Sequence, residues 1–111
     1  MEIDLTMLPA KNRLKLTSKV PFKGRRLTSE EFIAVANKKK GVFKSAVVIS
    51  KKVAAKAVDR NRIRRLVTES IRTNLGDIKF EGELIVIVKK NIANLKKHQV
   101  EQKVLELIAK L

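Results

Sequence analysis

Hydrophobic and polar positions follow one another in short blocks through the first half of the chain, and these blocks predict strands. The apolar run at 32–36 predicts one strand within 29–37. Alternating side chains over 42–50 predict a second strand. Between them the sequence Asn-Lys-Lys-Lys-Gly at 37–41 is typical of a turn. Because this linker is short, we expect the two strands to pair as an antiparallel hairpin.

Helical periodicity dominates the second half of the chain. Apolar positions recur every three or four residues over 58–75, which predicts a helix with one side facing the core. The predicted core-facing residues are Ile63, Leu66, Val67 and Ile71. Asp59 lies where a carboxylate could cap the first turn. The run at 84–88 is apolar on both faces and predicts a strand at the centre of its sheet. A last helix is predicted over 96–111.

The order of these elements predicts one two-layer domain over residues 7–111, either α+β or α/β. A chain of 111 residues is long enough for a single core. Residues 1–6 could be extra N-terminal residues, because Met7 is a plausible start, and we give them no structural weight. In the N-terminal segment, Leu14, Leu16 and Val20 could anchor one or two helical turns between Pro9 and Pro21, and Pro21 disfavours a longer helix.

Net charge narrows the functional class. The chain has 26 Lys and Arg against 11 Asp and Glu, a formal charge of +15. Such an excess of cations favours binding to nucleic acid or to an anionic membrane surface. A membrane is the weaker choice, because no apolar run approaches the roughly 18 residues of a spanning helix. We therefore expect a nucleic-acid partner and no membrane.

The sequence contains few residues of the types that serve in catalysis or bind metal ions. There is no cysteine, which excludes disulfides and thiolate metal sites, and His98 is the single histidine. Close carboxylates are confined to the flanks of predicted strands, and a two-metal nuclease would need several that converge. We expect no catalytic residue and no metal ligand in the polypeptide. The acidic N-terminus is unlike a signal peptide, and a cytoplasmic location is expected.

The most informative segment is 50–65, which leads into the first long helix and carries lysines and arginines at closely spaced positions. Like charges on neighbouring helical positions repel one another, and the positive end of the helix dipole adds to their cost. We therefore expect these cations to bind an external polyanion rather than to stabilise the fold. The proposed RNA-binding residues are Lys51, Lys52, Lys56, Arg60, Asn61, Arg62, Arg64, Arg65 and, further along the helix, Arg72.

This segment resembles the protein subunit of bacterial ribonuclease P. That family is marked by a strand ending in Ser-Lys-Lys-Val and, after a short loop, by Ala-Val-x-Arg-Asn-Arg-Ile followed by a basic pair. The same residues stand here at 50–53 and 57–65. The N-terminal segment at 8–14 is similar to the start of that family, and 22–26 looks like the close of its first helix.

The resemblance implies a fold. It would be an open sheet of about four strands in the order α-β-β-β-α-β-α, with a first helix and first strand that can be short. The family fold is like that of the second domain of ribosomal protein S5. Its arginine-bearing helix lies in a left-handed β-α-β crossover, a hand that general rules disfavour.

The resemblance also implies a function. In that family the catalyst is an RNA with Mg²⁺, and the protein promotes removal of the 5′ leader from precursor tRNA. The expected partners are ribonuclease P RNA and precursor tRNA, with Mg²⁺ bound mainly by the RNA and no obligate protein partner. The leader-binding positions implied here are Phe22, Lys23, Arg25 and Val35. The chain has no Tyr or Trp, so base stacking on the leader is curtailed.

An alternative from another class stays open. The same basic helix would suit a ribosome-associated protein or a general RNA chaperone with no processing role. Such a protein would bind any structured RNA with similar affinity. A ribonuclease P subunit would prefer one long RNA and would distinguish precursor tRNA from mature tRNA. Binding to duplex DNA is less favoured, because the sequence has no helix-turn-helix pattern.

Overall fold

Four strands and two α-helices form a sheet covered on one face by helices, in a computed structural model that describes residues 8–14 and 24–111. The elements are β1 (Arg25–Thr28), β2 (Phe32–Lys38), β3 (Lys44–Val48), α1 (Ala57–Thr73), β4 (Gly82–Val88) and α2 (Lys97–Ile108). Short 3-10 helices lie at Ala10–Asn12 and Leu75–Asp77. This order confirms the predicted α+β class. The helical turns expected between the two prolines fall mostly on 15–23, outside the described residues.

The strand order in the sheet is β1-β2-β4-β3. The β1–β2 and β2–β4 pairs are antiparallel, and β3 runs parallel to β4. The central position predicted for 84–88 is confirmed. The predicted hairpin between β2 and β3 is wrong, because β4 lies between them. A strand that is apolar on both faces is best buried with a neighbour on each side, and that requirement outweighs the short linker.

Helix α1 connects β3 to the adjacent parallel strand β4, as a β-α-β crossover does. Its 17 residues extend for about 25 Å at 1.5 Å per residue. The predicted core-facing stripe is confirmed, since Ile63, Leu66, Val67 and Ile71 are all buried. The predicted cap is wrong: the N-cap residue is Lys56, with no side-chain hydrogen bond, and Asp59 lies in the first turn. Asp59 Oδ2 instead accepts a hydrogen bond from Asn91 Nδ2 at 3.3 Å.

The core lies between the sheet and the helices. Alternate side chains of β2 and β4 point toward α1 and α2, and the sheet side of the core comprises Phe32, Ala34, Ala36, Leu84, Val86 and Val88. Helix α2 adds Val100, Val104 and Leu107 from its buried side. The opposite face of the sheet carries Val35 and its cross-strand partner Ile85, which are also buried.

The N-terminal segment 8–14 follows the outer edge of β3. Leu14 N donates to Ser45 O at 3.1 Å, and Arg13 forms a parallel bridge with Ser45. The buried Asn12 donates from Nδ2 to Phe43 O at 2.7 Å. These bonds satisfy part of an edge that would otherwise be open to another chain.

Strand β1 corrects the expectation that 22–26 closes a helix. Arg25 and Arg26 lie in an edge strand that pairs with β2, and the two residues before Gly24 lie outside the described part of the chain. Only Leu27 of this strand is half-buried. Because the other three residues are exposed and polar, the strand has no apolar alternation for a sequence pattern to detect. No helix in the described part of the chain is long and apolar enough to cross a membrane.

Candidate nucleic-acid interface

The loop between β3 and α1 is a compact turn that presents lysines. Ser50 O accepts hydrogen bonds from Val53 N and Ala54 N, both at 3.2 Å. Ala54 is buried and anchors the loop against the core, whereas Lys51 and Lys52 are exposed on the turn. Lys56, also exposed, stands immediately before the first residue of α1.

Arg60 ties this loop to the first turn of α1. Its Nη1 donates to Ala54 O at 2.9 Å and to Ala55 O at 2.8 Å. These carbonyl groups lie outside any helix or strand, so the guanidinium supplies the donor that regular structure does not. The loop lysines are thereby fixed at the same end of α1 as the arginines.

Arg62 makes the corresponding connection on the other side of α1. Its Nε donates to Ala93 O at 2.6 Å, in the segment between β4 and α2. The same segment is held by the bond between Asn91 and Asp59. Arg60 and Arg62 thus hydrogen-bond the backbone of the flanking loops, contacts within the chain that the sequence did not indicate.

Asn61, Arg64 and Arg65 make up the remainder of the cluster and are all exposed. Arg64 Nη1 lies 3.5 Å from Asn61 Oδ1, a long hydrogen bond. Within residues 8–14 and 24–111, no carboxylate oxygen comes within 4.0 Å of any arginine between 60 and 65. The guanidinium groups of Arg64 and Arg65 are thus uncompensated by acidic side chains of the described chain. An arrangement of this kind can bind phosphate oxygens in pairs.

Arg72 differs from the others in its surroundings. Its side chain is only 32% exposed, and Nη2 lies 3.9 Å from Glu69 Oε1. The same oxygen of Glu69 also forms an ion pair with Lys97 Nζ at 2.6 Å. Arg72 therefore shares a carboxylate with α2, two turns beyond the exposed arginines.

The implied leader-binding positions are only partly described. Phe22 and Lys23 lie outside the described residues. Val35 lies in β2, 2% exposed, and pairs with Arg26 of β1. Arg25 pairs with Ala36 instead. Because cross-strand partners share a face, Arg26 lies on the same side of the sheet as Val35, and Arg25 lies on the opposite side.

A cavity of about 440 Å³ lies between segment 8–14, β3 and α1. Arg13 lines it from one side, and Asn61, Arg64 and Arg65 line it from the other. Sequence reasoning missed Arg13, Arg26, Ser45 and Thr68 as neighbours of the functional positions. A strand assignment for 25–28 would have revealed Arg26 by alternation, whereas the other three are brought together only by tertiary packing.

Chemically, the site offers positive charge and hydrogen-bond donors. In the described ranges there is no group of three or more His, Cys, Asp or Glu side chains that could hold a metal ion. Among the described residues, the cavity lining beside the exposed arginines contains no carboxylate, histidine or cysteine. The arrangement is suited to holding a polyanion.

Comparison with known proteins decides the family. The family model described as Ribonuclease P matches residues 8–111. The chain belongs to the ribonuclease P protein family. It is therefore the protein component of a tRNA-processing ribonucleoprotein endoribonuclease.

Curated ribonuclease P protein components are similar along most of the chain. The one from Listeria monocytogenes is 30% identical over 92 residues, which cover 81% of this chain and 76% of that protein. The one from Legionella pneumophila is 38% identical over 71 residues, covering 62% of this chain and 59% of that protein.

Solved ribonuclease P proteins share the fold. The Thermotoga maritima protein superposes with a TM-score of 0.76 at 26% identity, covering 89% of this chain and 98% of that one. The Staphylococcus aureus protein gives a TM-score of 0.77 at 21% identity, covering 89% and 94% of the two chains. The four-stranded sheet with its β3–α1–β4 crossover is thus a ribonuclease P protein fold.

Proposed function

We propose that the chain binds ribonuclease P RNA through a basic surface at the start of α1 and thereby promotes cleavage of precursor tRNA. This α1 basic surface comprises Lys51, Lys52, Lys56, Arg60, Asn61, Arg62, Arg64 and Arg65, with Arg72 at its margin. The observation that carries the proposal is the exposure of Arg64 and Arg65 with no carboxylate of the described chain within 4.0 Å.

The residues of this surface divide into two roles. Arg64 and Arg65 offer planar, permanently charged forks to phosphate oxygens, and Asn61 adds a donor and an acceptor for a sugar hydroxyl or base edge. Arg60 and Arg62 add charge while they hold the flanking loops in place. A helix cannot enter the deep, narrow major groove of A-form RNA, so contacts to backbone and shape are expected.

The 5′ leader of precursor tRNA is proposed to pass the edge strand β1 on the side of the sheet to which Val35 belongs. Val35 itself is buried, so the exposed Arg26 would make the contact. Of the other positions implied by the family resemblance, Phe22 and Lys23 lie outside the described residues, and Arg25 lies on the opposite face. Arg26 shares the face of Val35 and replaces Arg25 in the proposed site. Phosphate contacts should dominate over stacking on this face, since the chain has no Tyr or Trp.

Mg²⁺ is proposed to be bound by the RNA partner. Within the described residues no cluster of carboxylate or imidazole ligands fits a metal ion. The contribution of the polypeptide is then electrostatic: its cations reduce repulsion between the phosphates of the two RNAs. Substrate and Mg²⁺ would bind the complex more tightly at a given salt concentration.

Reconstitution of the complex tests this proposal. Ribonuclease P RNA from the source organism, transcribed in vitro, would be assayed for precursor tRNA cleavage over a range of Mg²⁺ concentrations. Wild-type protein is expected to lower the Mg²⁺ concentration needed for half-maximal cleavage. The test variant is the double substitution Arg64→Ala with Arg65→Ala. Its matched control is Lys79→Ala with Lys110→Ala, which removes the same charge elsewhere. Both control lysines are exposed and follow the C-terminal ends of the helices.

A general RNA-binding protein would give a different result. It would bind an unrelated structured RNA as tightly as ribonuclease P RNA, and it would leave the Mg²⁺ requirement unchanged. That outcome would remove the processing role while leaving RNA binding intact.

A further inference from the structure

We propose that the cavity beside the α1 basic surface holds one unstacked nucleobase of the bound RNA, with the adjoining phosphate on Arg64 and Arg65. This inference rests on the proposed function and extends it from phosphate contacts to recognition of a single nucleotide. Three independent properties of the cavity support it: an apolar floor, a cationic rim and a buried hydroxyl group without a partner.

The apolar residues of the cavity lining, which we call its floor, come from three separate segments. Leu8 and Leu14 come from the N-terminal segment, Val47 from β3 and Ile71 from α1. Its volume of about 440 Å³ falls within the range of pockets that bind small organic ligands. An apolar floor disfavours a bare phosphate, which is costly to desolvate, and favours a flat ring whose faces are easily desolvated.

The charged residues of the cavity lining, which we call its rim, are all cationic. Arg13 belongs to the N-terminal segment, and Arg64 and Arg65 belong to α1. No acidic side chain lines the cavity in the described part of the chain. Arg13 Nε donates to Leu8 O at 2.7 Å, which restrains its guanidinium plane at the rim. A restrained guanidinium plane is a stacking surface for an unstacked base.

Ser45 provides the third independent indication of a ligand. The residue lines the cavity and is 3% exposed, yet its Oγ has no hydrogen-bond partner in the described structure. A buried hydroxyl without a partner is costly, and most such groups in proteins are satisfied. Rotation of the hydroxyl about the Cα–Cβ bond would let it donate to, or accept from, the polar edge of a base in the cavity.

A nucleobase is the occupant that meets all three properties together. It has flat apolar faces for the floor and the guanidinium plane, a polar edge for Ser45, and a phosphate attached to its ribose for the rim. Sequence-specific recognition of RNA commonly uses bases that have left the helical stack. An uncharged peptide or lipid would match the apolar floor but not the concentration of arginines.

The test fills the cavity without changing the charge. Thr68 lines the cavity from α1 and is half-buried, so Thr68→Phe should place a ring inside it. The matched control is Thr73→Phe on the same helix, where the threonine is exposed and does not line the cavity. Each full-length variant would be bound to transcribed ribonuclease P RNA. Affinity, salt dependence, base-specific chemical probing and hydroxyl-radical probing of the backbone would be measured.

Wild type and Thr73→Phe are expected to protect one unpaired base from chemical modification. With Thr68→Phe that base should become reactive, while backbone protection and the salt slope persist. Affinity should fall about fivefold or more, the lower end of what one stacked base contributes. Equal affinity and an identical pattern of base protection for Thr68→Phe and wild type would overturn the base-binding proposal alone. Failure of the wild type to bind the RNA at all would overturn the proposed function as well.

Ser45→Ala keeps the test decisive if the phenylalanine disturbs folding. This change removes the unpaired hydroxyl and adds no volume, so the melting temperature should stay the same or rise. Affinity for the RNA should nevertheless fall by a few-fold, with the salt slope unchanged. A Ser45→Ala variant that binds as tightly as wild type would show that no base edge reaches this hydroxyl.

Discussion

Arg62 Nε donates a 2.6 Å hydrogen bond to Ala93 O, and this bond fixes the segment that follows β4 against the side of α1. The two residues are 31 positions apart in the chain. Arg60 fixes the preceding loop in a similar way through Ala54 and Ala55. A cluster that looks uniform in sequence therefore contains arginines that build the interface and arginines that remain free for a partner.

Replacing Arg62 should lower stability more than replacing Arg65. The Arg62→Ala change leaves the carbonyl of a buried residue, Ala93, without its donor and should reduce the free energy of unfolding by roughly 1–2 kcal/mol. Arg65→Ala removes an exposed cation and should change it by no more than about 0.5 kcal/mol. Urea denaturation of both variants checks the difference. Equal losses would mean that the Arg62 bond does not hold the segment.

Replacing Arg60 should loosen the loop between β3 and α1. Without the Nη1 donor, the carbonyls of Ala54 and Ala55 lose their side-chain partner. Hydrogen exchange at the amides of Val53 and Ala54, which bond to Ser50 O, is expected to accelerate in Arg60→Ala. Arg64→Ala is the control and should leave both amides as protected as in wild type. Unchanged protection in both variants would contradict the structural role of Arg60.

The exposed pair of arginines should set the salt dependence of RNA binding. If five to eight phosphates are neutralised by the wild type, log affinity should fall with log salt at a slope of roughly −4 to −7. Arg64→Ala with Arg65→Ala should reduce the magnitude of that slope by about 2, one unit for each phosphate that is no longer neutralised. Lys79→Ala with Lys110→Ala removes the same charge at the other end of the helices. A similar reduction of the slope in that control would indicate binding through net charge alone.

Local patterns were sufficient for the elements whose burial depends on their own side chains. The buried stripe of α1 could be predicted because its apolar residues recur at helical spacing on one face. The central strand β4 could be predicted because its residues are apolar on both faces. The hydropathy pattern gave no sign of strand β1, which only the family resemblance implied, since only Leu27 is half-buried and the pairing with β2 depends on backbone hydrogen bonds. The β2–β4–β3 order was also missed, because a short linker does not determine which strand will lie between two others.

The charge of the candidate site could be predicted from the sequence, but the arrangement of its side chains could not. The charge of the segment 60–65 predicts a polyanion partner from the sequence alone. Which arginines are free is decided by carbonyl oxygens that belong to other segments, such as Ala93 O. The cavity likewise depends on Arg13 and Ser45, which become neighbours of α1 only after β3 has packed beside the helix.

Neighbouring arginines of β1 should differ in their effect on the precursor tRNA leader. Arg26 shares the face of Val35, whereas Arg25 lies on the other face beside Ala36. Arg26→Ala is expected to reduce the preference for precursor over mature tRNA about fivefold, as removal of one charged hydrogen bond at an exposed site would. Arg25→Ala serves as the control and should retain the preference. If Arg25→Ala reduced the preference and Arg26→Ala did not, the leader would have to lie on the helix side of the sheet.

The most direct test of the central claim is to map which side of the protein faces the RNA. The sequence contains no cysteine, so a single one can carry a tethered hydroxyl-radical source. Val58→Cys places it in the first turn of α1, where Val58 is 75% exposed. Gln102→Cys places it on the exposed side of α2. Cleavage of ribonuclease P RNA at a few discrete sites from position 58, and not from position 102, is the predicted result. Discrete cleavage from position 102 with none from position 58 would contradict the account.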